Sequence, residues 1–243
     1  VVGMKNLRVC WLSAGVSSFM AGWLAGDIDE WIYIDIEDQH KDSIRFIRDI
    51  ENAIGREVKI LRSTQYRTVE DCVLAFGGFR NPHNGFAPCT NWMKKRVRKE
   101  WEAVHSDFEL TYVWGFDLKE RARAERTVEA NPQAEHEFPL IEKYLSKEDV
   151  HGLFERNFNF KRPVMYEMGY PNNNCIGCVK GGMGYWNRIR KDFPDVFKSR
   201  SELERKVGHS IFKECYLDEL DPARGNMNTE IFPECGIMCY LAQ

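Results

Sequence analysis

An apolar run of Leu7, Val9, Cys10, Trp11 and Leu12 stops at Ser13-Ala14-Gly15-Val16-Ser17-Ser18, and Phe19-Met20-Ala21-Gly22-Trp23-Leu24-Ala25 follows. The first block lacks the polar alternation of a half-exposed strand, so it reads as a strand buried on both faces, as in a parallel sheet. The second block reads as a helix. Strand, small-residue turn and helix together commit the chain to α/β architecture, because parallel strands need crossover connections. Small residues let the backbone approach a ligand closely, and the helix N-terminus presents unpaired N–H groups with partial positive charge. Phosphate is the expected guest, with Ser13, Ser17 and Ser18 as extra hydroxyl donors. The alternative is a tight turn with Ser17 as N-cap that binds nothing. Neither G-x-x-x-x-G-K-[ST] nor G-x-G-x-x-G occurs here, so neither of those phosphate motifs applies.

The next segments extend the same pattern. Glu30–Ile34 (E-W-I-Y-I) reads as a second strand, followed by Asp35-Ile36-Glu37-Asp38-Gln39-His40. Ligands in open α/β sheets bind beyond the carboxyl ends of strands, so Asp35 is a candidate for a ribose, an adenine amino group or a metal, against a solvated loop. Ile44, Ile47, Ile50 and Ile54 lie on a helical period over Asp42–Ile54, with Gly55 as terminator. Val58–Leu61 reads as a third strand. The order βαβαβ predicts a parallel sheet with right-handed crossovers.

A short helix is expected over 68–76, then a loop to Cys89, then a basic helix over 91–105 carrying Lys94 and Lys95. A fourth strand is expected over 111–114, followed by Gly115 and an arginine-rich segment with Arg121, Arg123 and Arg126. Arginine forks suit phosphate or sulfate oxygens. Both basic segments also fit solvated faces. Ser146 is placed to cap a helix running to 154, with Asp149 at its third position. One helix is expected over 185–205. No repeat or linker divides the chain, which reads as one domain with a core over about 5–170 and a cysteine-rich part over about 171–243.

Composition narrows the chemistry. The net charge is −3, from 34 basic and 37 acidic residues, so no overall basic field draws the chain to nucleic acid. No stretch approaches the roughly 20 apolar residues of a membrane span, and none reads as a signal peptide. The expected setting is cytoplasmic and reducing, where eight cysteines point to metal ligands or a reactive thiol rather than disulfides. Cys175-x-x-Cys178 can clamp zinc, hold half of an iron–sulfur cluster or act as a redox dithiol. The remaining ligands would come from Cys89 and from Cys235 and Cys239 in E-C-G-I-M-C. Cys10, Cys72 and Cys215 read as small buried hydrophobes.

Taken in order, these segments resemble the phosphoadenosine/adenosine phosphosulfate reductase family of the PP-loop adenine nucleotide alpha-hydrolase superfamily. Residues 13–18 resemble the PP-loop S-G-G-x-D-S, with Ala14 at the second position and Ser17 at the aspartate. Tyr33-Ile34-Asp35 with Ser43-x-x-Phe46-Ile47, Cys89 with Lys94 and Lys95, and Gly115 with the following arginines are similar to further family segments. So are Phe138-Pro139-Leu140 with Lys147-Glu148-Asp149-Val150, and Tyr166-x-x-Gly169-Tyr170 before the C-x-x-C. Glu234-Cys235-Gly236 resembles the tail that carries the family's nucleophilic cysteine. The chain departs at Thr90, where the iron–sulfur branch has a second cysteine, at Met238 in place of the tail histidine, and at Ile36-Glu37.

The resemblance implies a Rossmann-like parallel sheet flanked by helices, with a cysteine-bearing C-terminal tail. Ser13, Ala14, Gly15, Val16, Ser17, Ser18, Asp35, Lys94, Lys95, Gly115, Arg121 and Arg123 would bind the adenine nucleotide. Cys89, Cys175, Cys178 and Cys239 would hold a [4Fe–4S] cluster, or alternatively zinc would bind. Cys235 would attack the sulfur of a phosphosulfate, with sulfite released by a thioredoxin-like reductant. A second expectation is an ATP- and magnesium-dependent sulfurtransferase acting on nucleic acid. A third is a non-catalytic nucleotide- or metal-binding module. Monomer and homodimer both stay open.

Overall fold

The computed structural model describes residues 5–80, 87–230 and 235. Five parallel strands form one sheet: β1 (Lys5–Leu12), β2 (Glu30–Ile34), β3 (Val58–Leu61), β4 (Phe108–Val113) and β5 (Glu135–Glu137). Their spatial order is β3-β2-β1-β4-β5. Leu12 pairs with Tyr33 on one side of β1, and Cys10 pairs with Val113 on the other. The fold is α/β and Rossmann-like, as the first residues of the chain require.

The helices are α1 (Val16–Ala25), α2 (Asp42–Ile54), α3 (Val69–Phe76), α4 (Pro88–Thr90), α5 (Arg96–Val104), α6 (Arg121–Ala130), α7 (Pro139–Glu142), α8 (Lys147–Asn157), α9 (Val164–Glu167), α10 (Met183–Asp192) and α11 (Pro194–Val207). Strand β1 alternates between two cores. Cys10 and Leu12 join Phe19 and Met20 of α1, Phe46, Ile47 and Ile50 of α2, and Val150 and Phe154 of α8. Leu7, Val9 and Trp11 join Val97 and Trp101 of α5 and Ala124 of α6 on the opposite face. Both faces are therefore covered, which is why β1 reads as an unbroken apolar run. A third core gathers Tyr185, Trp186 and Ile189 of α10 with Leu203 of α11, Val69 and Val73 of α3, and Tyr170. Among the described residues no helix is long and apolar enough to cross a membrane.

Several boundaries differ from those the sequence suggests. Helix α1 starts at Val16, with Gly15 rather than Ser17 at the N-cap and no side-chain cap hydrogen bond. The helix expected over 91–105 begins earlier, because Pro88 supplies a pre-set first helical position. It also passes through a π-helical turn over Asn91–Lys95 before α5. The helix expected over 185–205 is split, since Pro194 opens a new helix directly after Phe193. Strand β5 is an addition. Its Glu-His-Glu sequence carries no apolar pattern, and it sits at the sheet edge, where charged residues blunt further pairing.

The strand order places a switch point at β1. Chain connections run outward to β2 and β3 on one side and to β4 and β5 on the other. The crevice beyond the carboxyl ends of β1 and β4 is the expected ligand position in such a sheet.

Candidate functional site

The turn after β1 is fixed by its own serines. Ser18 Oγ accepts from the Ser13 N–H at 3.0 Å, lies 3.0 Å from Ser13 Oγ, and donates to the Gly15 carbonyl at 3.1 Å. Ala14 holds a left-handed φ of +58°, a conformation that favours glycine. Its carbonyl accepts from Asn173 Nδ2 at 2.8 Å, and the same amide donates to Ser43 Oγ at 3.0 Å. Gly115, just past β4, meets the first turn of α1. A Cβ there would lie 2.5 Å from the Ser18 backbone nitrogen, so only glycine allows this approach.

Above this turn lies a cleft of about 490 Å³, lined by Trp11, Leu12, Ser13, Ser18, Ile34 and Gln39 from the β1 and β2 side. Lys94, Trp114, Gly115, Phe116, Arg123 and Cys235 close the other side. Arg123 is buried, stacks 4.3 Å above the Phe116 ring and pairs with Glu120 at 2.5 Å. Trp114 stacks with Phe116, its indole N–H donating to His136 Nδ1 at 2.9 Å. Apolar walls with a few placed cations and hydroxyls suit a flat ring joined to an anionic group.

A second cavity, of about 360 Å³, is lined by Cys89, Thr90, Cys175, Cys178, Cys235, Lys94 and Lys180, with Ile36, Val69 and Val179. Four cysteines from three distant stretches thus share one chamber. Cys89 rides on α4, and the π turn after it carries Lys94 inward. Single π turns recur at functional sites because they re-aim side chains. The C-x-x-C loop is held by Tyr185, which accepts from the Cys178 N–H at 3.1 Å and donates to the Cys175 carbonyl at 3.2 Å. Gly177 sits at φ +70°, the left-handed turn between the two cysteines. Cys235 is pinned at both backbone groups. Its N–H donates to Asn174 Oδ1 at 2.8 Å, and its carbonyl accepts from Lys94 Nζ.

The electrostatics of the chamber follow from burial. Burial pushes the Cys89 thiol up, with Cys235 adding to the rise and Lys180 and Lys94 opposing it. Cys175 is raised well above the usual thiol range by burial, with Lys94 opposing. A hydrogen bond with Cys235 and burial raise Cys178 in the same way. Burial lowers the Lys94 pKa, but Cys235 and Cys175 outweigh it and the net shift is upward. Two ammonium groups beside four thiols favour a guest that is anionic or that binds thiolates. Among the described residues no group of three or more His, Cys, Asp or Glu is arranged to hold a metal ion. A single zinc would need its sulfurs about 2.3 Å from one point. All four line the one chamber, with Cys178 and Cys235 sharing a hydrogen bond.

The expected nucleotide residues divide into three groups. Ser13, Ser18, Lys94, Gly115 and Arg123 line the cleft. Ala14, Gly15, Val16 and Ser17 form the buried turn behind it. Asp35, Lys95 and Arg121 are not among the lining residues. Asp35 is paired with Arg62 at 2.7 Å, Lys95 is half-buried and Arg121 is exposed. Cys89, Cys175, Cys178 and Cys235 meet, whereas Cys239 lies outside the described residues, as do Glu234, Gly236 and Met238. Cys10 and Cys72 are buried, and burial raises Cys72 to about 12. Cys215 is half-buried.

Sequence reasoning passed over Gln39, Lys180, Trp11 and the run Asn172-Asn173-Asn174, all buried. The asparagines carried a signal: three adjacent amides directly before a C-x-x-C offer side-chain hydrogen bonds where a loop needs them. No protein-family model matches the chain, and no curated protein matches it either.

Proposed function

We propose that this protein is a thiol-dependent sulfonucleotide reductase of the PAPS/APS reductase type, with an iron–sulfur cluster in the four-cysteine chamber. The observation that carries the reading is the position of Cys235, which lines both the cleft and the chamber. In this reading the adenine nucleotide occupies the cleft. Its phosphosulfate lies against the uncapped N-terminus of α1, with Ser13, Ser18, Lys94 and Arg123 around it. The donor set fits a cluster: the thiols of Cys89, Cys175 and Cys178 in one chamber, two ammonium groups to balance thiolate charge, and the buried Thr90 hydroxyl without a protein partner. A cluster held there supplies a polarisable, redox-capable group beside the reacting sulfur.

The chain's own residues perform the steps. Lys94 and Lys180 supply positive charge in the chamber that Cys235 lines and oppose the burial that raises its neighbouring thiols. The Cys235 thiolate attacks the sulfate sulfur, forming an S–S bond as the S–O bond to phosphate breaks. The nucleotide leaves with that electron pair, and the enzyme carries a cysteine S-sulfonate. A dithiol reductant of thioredoxin type then attacks Cys235 Sγ, and sulfite leaves with the S–S electron pair. The second thiol of the reductant resolves the mixed disulfide, so the dithiol is oxidised as sulfur(VI) becomes sulfur(IV). Clamping by Asn174 and Lys94 holds Cys235 at the boundary of the two cavities throughout.

Cys235→Ser should abolish sulfite release from a phosphosulfate nucleotide while leaving nucleotide affinity within about twofold and the iron content unchanged. Assays of both, with iron analysis after anaerobic purification, decide it. The hydrogen bond between Cys178 and Cys235 favours a second reading, in which Cys235 is the fourth ligand and the PP-loop-like turn binds ATP for sulfur transfer to a nucleic acid. Loss of iron in Cys235→Ser, together with turnover that requires ATP and magnesium, would establish that reading instead.

A further inference from the structure

Thr90 is 2% exposed, and its Oγ1 has no hydrogen-bond partner although it belongs to the wall of the four-cysteine chamber. The residue is not loosely placed. Its backbone N–H donates to the Ala87 carbonyl at 3.1 Å, and it lies between Cys89 and the π turn that delivers Lys94. A buried hydroxyl without a partner is costly, and a valine of the same shape would avoid that cost. Neutral thiols are weak acceptors, so the cysteines as such do not satisfy it. An electron-rich guest with exposed sulfur does.

We infer that the Thr90 hydroxyl is a dedicated donor to a sulfur of the cluster, and that it tunes the cluster's reduction potential. The inference rests on the cluster reading above and goes beyond it by giving Thr90 a role. The direction follows from charge. Adding one electron makes the cluster sulfurs more negative, so a fixed donor stabilises the reduced form more than the oxidised form. Removing the donor therefore lowers the potential. Lys94 and Lys180 line the same chamber and act in the same direction, but as charges rather than as a neutral hydroxyl donor. Thr90 is short, and its backbone is fixed by the helix start at Pro88.

The test uses the full chain, purified anaerobically as wild type, Thr90→Val and Thr90→Ser. Each is titrated with dithionite and ferricyanide while electron paramagnetic resonance follows the cluster. Thr90→Val should keep its iron and sulfide. At the wild-type midpoint, its ratio of reduced to oxidised cluster should fall about tenfold, equivalent to about 59 mV for a one-electron couple. Thr90→Ser should stay within about twofold of wild type. Iron-free Thr90→Val should also melt above iron-free wild type, because the orphan hydroxyl is gone. An unchanged midpoint in Thr90→Val overturns the role of Thr90 and leaves the cluster reading intact. Cluster loss in both variants makes Thr90 a packing residue and overturns it as well. A wild-type protein without iron and sulfide overturns the cluster reading and this role with it.

Discussion

Gly115 shows how a single atom decides the site. Its missing Cβ lets the end of β4 touch the backbone of Ser17 and Ser18, and both sides of that contact are backbone that cannot rotate away. Gly115→Ala should cost about 3 kcal/mol or more of stability and weaken binding of the proposed adenine nucleotide at least tenfold, checked by urea unfolding and calorimetric titration. Elsewhere, His151 is held neutral. Burial, then Lys147 and Arg162, lowers its pKa to about 4, and its Nδ1 accepts from Arg162 at 3.1 Å. The folded-state value is below the unfolded value of about 6.5, so the unfolded chain binds the extra proton first. Stability from this group is complete above about pH 6.5 and is lost as pH falls toward 4. Between pH 7 and pH 5 the wild type should lose about 1–2 kcal/mol relative to His151→Gln, allowing for partial exposure. Denaturant unfolding of both proteins at the two pH values measures it.

At the scale of elements, what the sequence discloses depends on whether the signal is local. Ser146 and Asp149 form the expected capping box, with hydrogen bonds of 3.1 and 2.9 Å. Ser146→Ala should therefore cost about 1 kcal/mol, read by thermal unfolding. Helix α2 likewise matches its four isoleucines and closing glycine. The π turn was not legible, because a five-residue widening leaves no trace in composition and is chosen by what Met93 and Lys94 must reach. Nor was β5, whose three polar residues are strand only because β4 lies alongside. The site divides in the same way. The β1–α1 turn announced itself, whereas the meeting of Cys89 and Cys175-x-x-Cys178 with Cys235 is a long-range fact. The sequence left Cys235 and Cys239 as rival ligands, and only Cys235 lies among the described residues.

Across the whole molecule, the cores on the sheet and the core under α10 and α11 are joined through Asp38. Its carboxylate accepts from Arg200, on α11, and from the Val69 N–H at 2.7 Å, while its carbonyl accepts from the Ile176 N–H at 2.8 Å. The Arg200–Asp38 pair is largely buried, so removing one partner leaves an uncompensated charge. Arg200→Met should destabilise the protein by about 3–5 kcal/mol, with the loss visible as early proteolysis of the α10–α11 layer.

Asn172, Asn173 and Asn174 have one more consequence. Asn172 accepts from Lys147 of α8, Asn173 grips the Ala14 carbonyl and Ser43, and Asn174 grips Cys235. Three neighbouring amides thus work as a crossbar, joining the floor of one cavity to the thiol at the door of the other. Any ligand that shifts the Ala14 peptide should pull on the residue next to the one that holds the Cys235 backbone, so occupancy of the cleft should alter the reactivity of Cys235. Asn173→Ala should remove that link. Alkylation of Cys235, which nucleotide should slow or speed in the wild type, should proceed in the variant at one rate whether the cleft is full or empty.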